Sequence, residues 1–210
     1  MTKQYALVEN INQSMADVIR RANLSLVMVK GHRHGFGAGV IWRKDGIILT
    51  NHHVVNRRTP LVVMPDGGEA PAQVVHRDPE VDLAVLQVQM DSLPVAVVVN
   101  RDEIKVGQWV FALGHPWGQP GYVTSGVISA LNVAQTRGGR SIPILRTDAD
   151  LAPGNSGGPL LDVFGRVVGI NTLILGGDQG IALPAYFADQ FVNETMALRQ
   201  VKAAKMELAV

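Results

Sequence analysis

Between Ser14 and Ala22 apolar residues recur at Met15, Val18, Ile19 and Ala22, with charged positions opposite them. That spacing predicts a short amphipathic helix with Ser14 as its cap. Beyond Leu24 the texture changes to short β-branched runs. In the first half these cover residues 24–29, 38–42, 47–49, 61–64, 72–75 and an apolar run opened by Asp82; in the second half they cover 109–113, 122–129, 142–146, 159–161 and 167–175. Turn formers such as Lys44-Asp45-Gly46 and Pro65-Asp66-Gly67-Gly68 separate them, so hairpins and an all-β fold are expected. The polar stretch 100–105 reads as the boundary between two lobes. Phe187, Phe191 and Met196 fall at helical intervals and predict a closing helix. The expected division is a helical amino-terminal segment (1–22), a first lobe (23–100), a second lobe (101–185) and a carboxy-terminal helix (186–210).

Composition narrows the function classes. The 210 residues carry a formal net charge of only +1 and no basic block, so no nucleic-acid partner is implied. Cysteine is absent, which removes disulfides, a thiol nucleophile and cysteine-based zinc sites while leaving the redox compartment open. Lys3, Glu9, Asp17 and Arg20 interrupt the first twenty residues, so they do not read as a secretion signal. The longest apolar runs, such as 93–99, fall far short of the roughly 20 residues that cross a bilayer. A soluble chain without membrane insertion is expected, its compartment undetermined.

The strongest local signal is Gly154-Asn155-Ser156-Gly157-Gly158-Pro159, one serine in a segment whose backbone can fold tightly and face its amides outward. A tetrahedral intermediate places negative charge on the former carbonyl oxygen, and the amides of Gly154 and Ser156 can stabilise it. The segment also satisfies the pattern of an α/β-hydrolase elbow. In that fold the histidine follows the serine, yet His32, His34, His52, His53, His76 and His115 all precede Ser156. His53 directly follows an apolar strand and Asp82 opens another, which gives the chymotrypsin order of base, acid and nucleophile. Neighbouring His52 and Asp78 are the competitors for the first two roles.

These segments together resemble the protease domain of the HtrA (Do-like) family within the trypsin-like superfamily. The resemblance rests on GAGVIW at 37–42, ILTNHHVV at 48–55, DLAVLQV at 82–88, GHPWG at 114–118, VTSGVIS at 123–129, RTDADLAPGNSGGPLL at 146–161 and VVGINT at 167–172. It implies two six-stranded antiparallel β-barrels with an N-terminal and a C-terminal helix. It also implies a serine endopeptidase acting on unfolded or extended polypeptide in protein quality control, with Ser156 as nucleophile, His53 as general base, Asp82 orienting it, an oxyanion hole at Gly154, Asn155 and Ser156, and no cofactor. Further implications are activity governed by ordering of loops at 131–142, 151–155 and 175–180, and a homotrimer with Tyr5 and Leu7 as candidate contacts.

Two features depart from the family pattern. Members usually continue into one or more PDZ domains, and here peptide sensing by a PDZ is expected to be absent or cut away; Asp150 stands six residues before the serine where alanine is usual. Asp150, Thr172, Leu173, Ile174, Gly180, Ile181 and Ala182 are the expected substrate-binding residues. They conflict, since Asp150 favours Lys or Arg before the scissile bond and Ile174 favours small aliphatic side chains; the resemblance tips the expectation toward the latter. His32 and His34 lack a third ligand nearby, so no metal site is expected, and Asp148 is expected to be buried and structural. A binding module that holds peptides without cutting them is the competing class, and an esterase uses the same site.

Overall fold

The computed structural model describes residues 3–31, 35–119, 121–175 and 179–207, the side chains of 3–7, 117, 173–175 and 206–207 excepted. His32 and His34 lie outside the described residues, as do the side chains of Tyr5 and Leu7.

Strands β1 (Leu26–Lys30), β2 (Gly37–Ile41), β3 (Ile47–Thr50), β4 (Leu61–Val63), β5 (Glu69–Asp78) and β6 (Leu83–Val88) close into one barrel in the order β1-β2-β3-β6-β5-β4. A second barrel of order β10-β11-β12-β9-β8-β7 contains β7 (Trp109–Gly114), β8 (Tyr122–Gln135), β9 (Ser141–Thr147), β10 (Pro159–Asp162), β11 (Val167–Leu175) and β12 (Gln179–Pro184). Among the described residues every strand pair is antiparallel, and β1–β4 and β7–β10 close the rings. Sequence pattern missed β12 as a separate strand; it is fixed by pairing with β9 and β11.

Alternation along β3 and β6 explains how two barrels share one core. Ile48 and Leu86 point into the first barrel, while Ile47, Leu49 and Val85 join a cluster between the barrels that includes Phe111, Leu113, Leu161 and Ile170. Leu49 and Leu113 are fully buried, and each such side chain contributes about 1.5–3 kcal/mol relative to exposure.

Helix α1 (Lys3–Ala22) starts well before the expected cap. Ser14 lies inside it and bonds back to the Asn10 carbonyl at 2.8 Å, because Val8 and Ile11 extend the apolar spacing toward the amino terminus. Both residues are exposed, whereas Val18 and Ala22 are buried against the barrels. Helix α2 (Ala185–Glu207) packs Ala188 and Val192 on the shared core, and Trp42 Nε1 donates to Asp189 at 2.9 Å to tie it to the first barrel. The polar stretch 100–105 becomes a 3-10 turn at Arg101–Glu103, closed by the Asn100 and Glu103 capping box. No helix among the described residues is long and apolar enough to cross a membrane.

Candidate active site

Ser156 sits on a bend held from both barrels. Its carbonyl accepts the Ala38 amide of β2 at 2.8 Å, and the Gly157 amide donates to Asn171 of β11 at 2.9 Å. Gly157 has φ +82°, and a Cβ there would run into Ala38 O and Thr50 Oγ1, so only glycine allows this approach. Gly154, with φ +110°, is pressed against the 115–116 backbone in the same way. The Asn155 amide donates to the Ala152 carbonyl at 2.9 Å. Among the described residues the Gly154 and Ser156 amides have no such acceptor. Of the three expected oxyanion residues, two therefore present an unused amide and Asn155 does not. Asn155 is structural instead, its side-chain oxygen accepting from Ala152 N at 3.1 Å.

His53 and Asp82 come together across the turn after β3. His53 Nδ1 lies 2.7 Å from Asp82 Oδ2, the His53 amide donates to Oδ1 at 3.0 Å, and Thr172 Oγ1 donates to Oδ2 at 2.6 Å. Burial works to raise the Asp82 carboxyl pKa, but the bonds from the His53 ring, Thr172 and the His53 amide outweigh it and hold it below its ordinary value. His52 contributes its backbone amide, which donates to the Asp82 carbonyl at 3.1 Å. Asp78 pairs with Arg140 instead of a histidine.

The nucleophile candidate and the base candidate face one cavity of about 280 Å³, lined also by Leu151, Ala152, Pro153, Asn155, Asn171 and Thr172. Ser156 Oγ donates to the Thr172 carbonyl at 3.2 Å. A neighbouring cavity of about 640 Å³ has His53, Asp82, Val81, Ile142, Ile144 and Ile181 among its walls.

The expected specificity residues divide. Asp150 is exposed and does not line the cavity beside Ser156; its carbonyl accepts from Thr124 at 2.6 Å. Leu151, 7% exposed, lines that cavity, and its side chain occupies the space beside Gly180. Ala182 is packed into the core of the second barrel, because alternation along β12 turns it away from the face that carries Ile181. Leu173 and Ile174 lie in β11, paired with Ile181 and Gly180, their side chains outside the description. Asp148 is exposed where a buried residue was expected, and it accepts the Val127 amide at 2.6 Å. Leu151 and the Thr172–Asp82 bond were missed from sequence; the first could have been found by asking which neighbour of Asp150 is apolar.

Residues 37–170 match the model of the trypsin-like peptidase domain. The chain belongs to the trypsin-like peptidase family. It falls within the HtrA branch of that family, as a solved HtrA-type protease, AlgW with a decapeptide, superimposes with a TM-score of 0.78 at 30% identity, covering 87% of this chain and 67% of the other. A serine endoprotease from Yersinia pestis gives 0.76 at 33% identity over 87% of this chain and 66% of its own. A probable periplasmic serine endoprotease, DegP-like, from Halomonas elongata is 42% identical over 160 residues, 73% of this chain. The counterpart of the same name from Chlamydia trachomatis is 39% identical over 171 residues, 79% of this chain. The chain spans about a third of the length of these two curated relatives, 34% in each case.

Proposed function

We propose that this HtrA-family chain is a serine endopeptidase that cleaves unfolded or extended polypeptide. The observation that carries the reading is the linked set Thr172–Asp82–His53 opening on the same cavity as Ser156. Ser156 Oγ, which donates to Thr172 at rest, turns its proton onto Nε2 of His53 as it bonds to the substrate carbonyl carbon. The anionic Asp82 stabilises the imidazolium that results. The Gly154 and Ser156 amides receive the oxyanion, a contribution worth about 10²–10³ in rate per donor. His53 then protonates the leaving amine, and water releases the acyl group by the reverse transfers.

Substrate would add to β11 as a further strand. On one side β11 pairs with β12 from Gly169 to Leu175, apart from a bulge at Thr172, but on the other its pairing with β10 ends at Ile170, leaving the edge at 172–174 available. Leu151 beside Gly180 shortens the pocket before the scissile bond, which supports small aliphatic residues there and leaves exposed Asp150 no part in selecting Lys or Arg. A role in protein quality control, assembly as a homotrimer and the four-part division at 22, 100 and 185 complete the proposal.

Incubating casein with the wild type and with Ser156→Ala, and reading product termini by mass spectrometry, tests the reading. Cleavage by the wild type alone, after small aliphatic residues, is the expected result. Folded protein that neither cleaves nor reacts with a fluorophosphonate would favour the peptide-binding module.

A further inference from the structure

Asp82 is one of two non-glycine residues, among those described, with a left-handed backbone, at φ +55°. An L-residue is placed there at a cost, and such strain persists only where surrounding bonds over-determine it. The bonds that do so are on the page. The Asp82 carbonyl accepts the His52 amide at 3.1 Å and the Asn51 side-chain Nδ2 at 2.8 Å. The Asp82 carboxylate accepts the His53 amide and faces the His53 ring. One residue thus grips the segment 51–53 with its main chain and its side chain at once, and the left-handed φ is what turns both ends toward it.

Asn51 is fully buried, and its Oδ1 has no partner among the described residues. A buried carboxamide with an unpaired oxygen costs free energy that an apolar residue of the same size would avoid. Its amide is therefore retained for the bond it does make. The backbone of Asn51 also abuts the Gly157 bend, so the residue stands between the segment carrying His53 and the one carrying Ser156.

We infer that Asn51 is a positioning residue of the hydrolytic site, whose side-chain amide holds the Asp82 main chain in the left-handed conformation that aims the carboxylate at His53. The inference rests on the proposed triad. Without that donor the Asp82 carbonyl keeps only the His52 amide, the backbone relaxes toward negative φ, and the carboxylate moves off the imidazole.

The test is Asn51→Ala, compared with wild type by steady-state cleavage of a fluorogenic peptide and by the downfield imidazole Nδ1 proton of His53 in the NMR spectrum. A displacement of the acid by about 1 Å is worth on the order of 100-fold, so kcat should fall about 10- to 100-fold with KM within about twofold. The downfield proton should move upfield or vanish, because the imidazole Nδ1 loses the carboxylate oxygen that it faces. A kcat within about twofold of wild type, or a fall with the proton unmoved, would overturn the inference. If Asn51→Ala does not fold, Asn51→Ser and Asn51→Cys replace it: nearly the same shape, a strong donor against a weak one. The serine variant should keep the downfield proton and the cysteine variant should lose it; the same spectrum in both would overturn the inference. The proton needs no turnover, so an inactive wild type would sink the triad reading while the spectra still decide the role of Asn51.

Discussion

The guanidinium of Arg140, in the turn of the β8–β9 hairpin in the second barrel, lies 2.7 Å from the carboxylate of Asp78, the last residue of β5 in the first. Beside it the Gly138 amide donates to Glu80 at 2.8 Å, so the tip of the hairpin is tied to the turn that leads into Asp82.

Acid should loosen that tie. Burial acts to raise the Asp78 pKa, but the bonds from Arg140 and the Glu80 amide hold it below its ordinary value; the Thr136 hydroxyl and the Gly138 amide do the same for Glu80. A carboxyl depressed in the folded state adds stability above its unfolded pKa, about 4, and loses it as pH falls through the folded value. The pair is part-exposed, worth about 1 kcal/mol or less, so Arg140→Ala should lower the unfolding temperature at pH 7 by no more than about 2–4 °C. Thermal scans from pH 7 to pH 3 should show the two curves converging in the acid range. A gap that persists unchanged at pH 3 would mean the ion pair is not its source.

Thr172→Val removes the hydroxyl that donates to Asp82 while leaving the Thr172 carbonyl in place. A hydrogen bond to a buried charge is worth about 1.5–3 kcal/mol, so kcat/KM should fall roughly 10- to 100-fold. Thr172→Ser should retain most of the activity. Equal losses in both would point to packing by the methyl group instead of the bond.

Leu151→Ala should enlarge the pocket beside Gly180 and admit longer apolar side chains before the scissile bond. Each methylene accommodated is worth about 1–3 kcal/mol, or 10- to 200-fold in selectivity, read from the cleavage sites in casein. Asp150→Asn should leave the site preference unchanged. A loss of cleavage after Lys or Arg in that variant would restore Asp150 to the pocket.

Leu49→Ala, at the fully buried contact between barrels, should destabilise the fold by about 2–5 kcal/mol in denaturant titration. Because the cluster joins both barrels, their unfolding should remain a single transition. Two separated transitions in the wild type would show the barrels to be independent units.

Much of the architecture could be read directly from the chain. Among the described residues, alternation and turn residues located eleven of the twelve strands, with β8 running six residues further than expected, because side-chain periodicity and turn chemistry are local. The exceptions have local causes too. Helix α1 was placed too short because Ser14 resembles a cap, although the apolar spacing continues past it, and β12 was passed over because its burial depends on partners from β9 and β11.

The candidate site divides along the same line. Sequence determined that one serine lies in a glycine-rich bend, that every histidine precedes it, and that His53 and Asp82 border apolar strands, because residue order and local composition carry that information. Tertiary structure decided that Thr172 reaches Asp82 across 90 positions, that Asn51 holds the Asp82 carbonyl, and that Leu151 instead of Asp150 faces the cavity. Those relations arise where two barrels meet, and a one-dimensional pattern does not say which way a side chain turns when strands from distant segments close on each other.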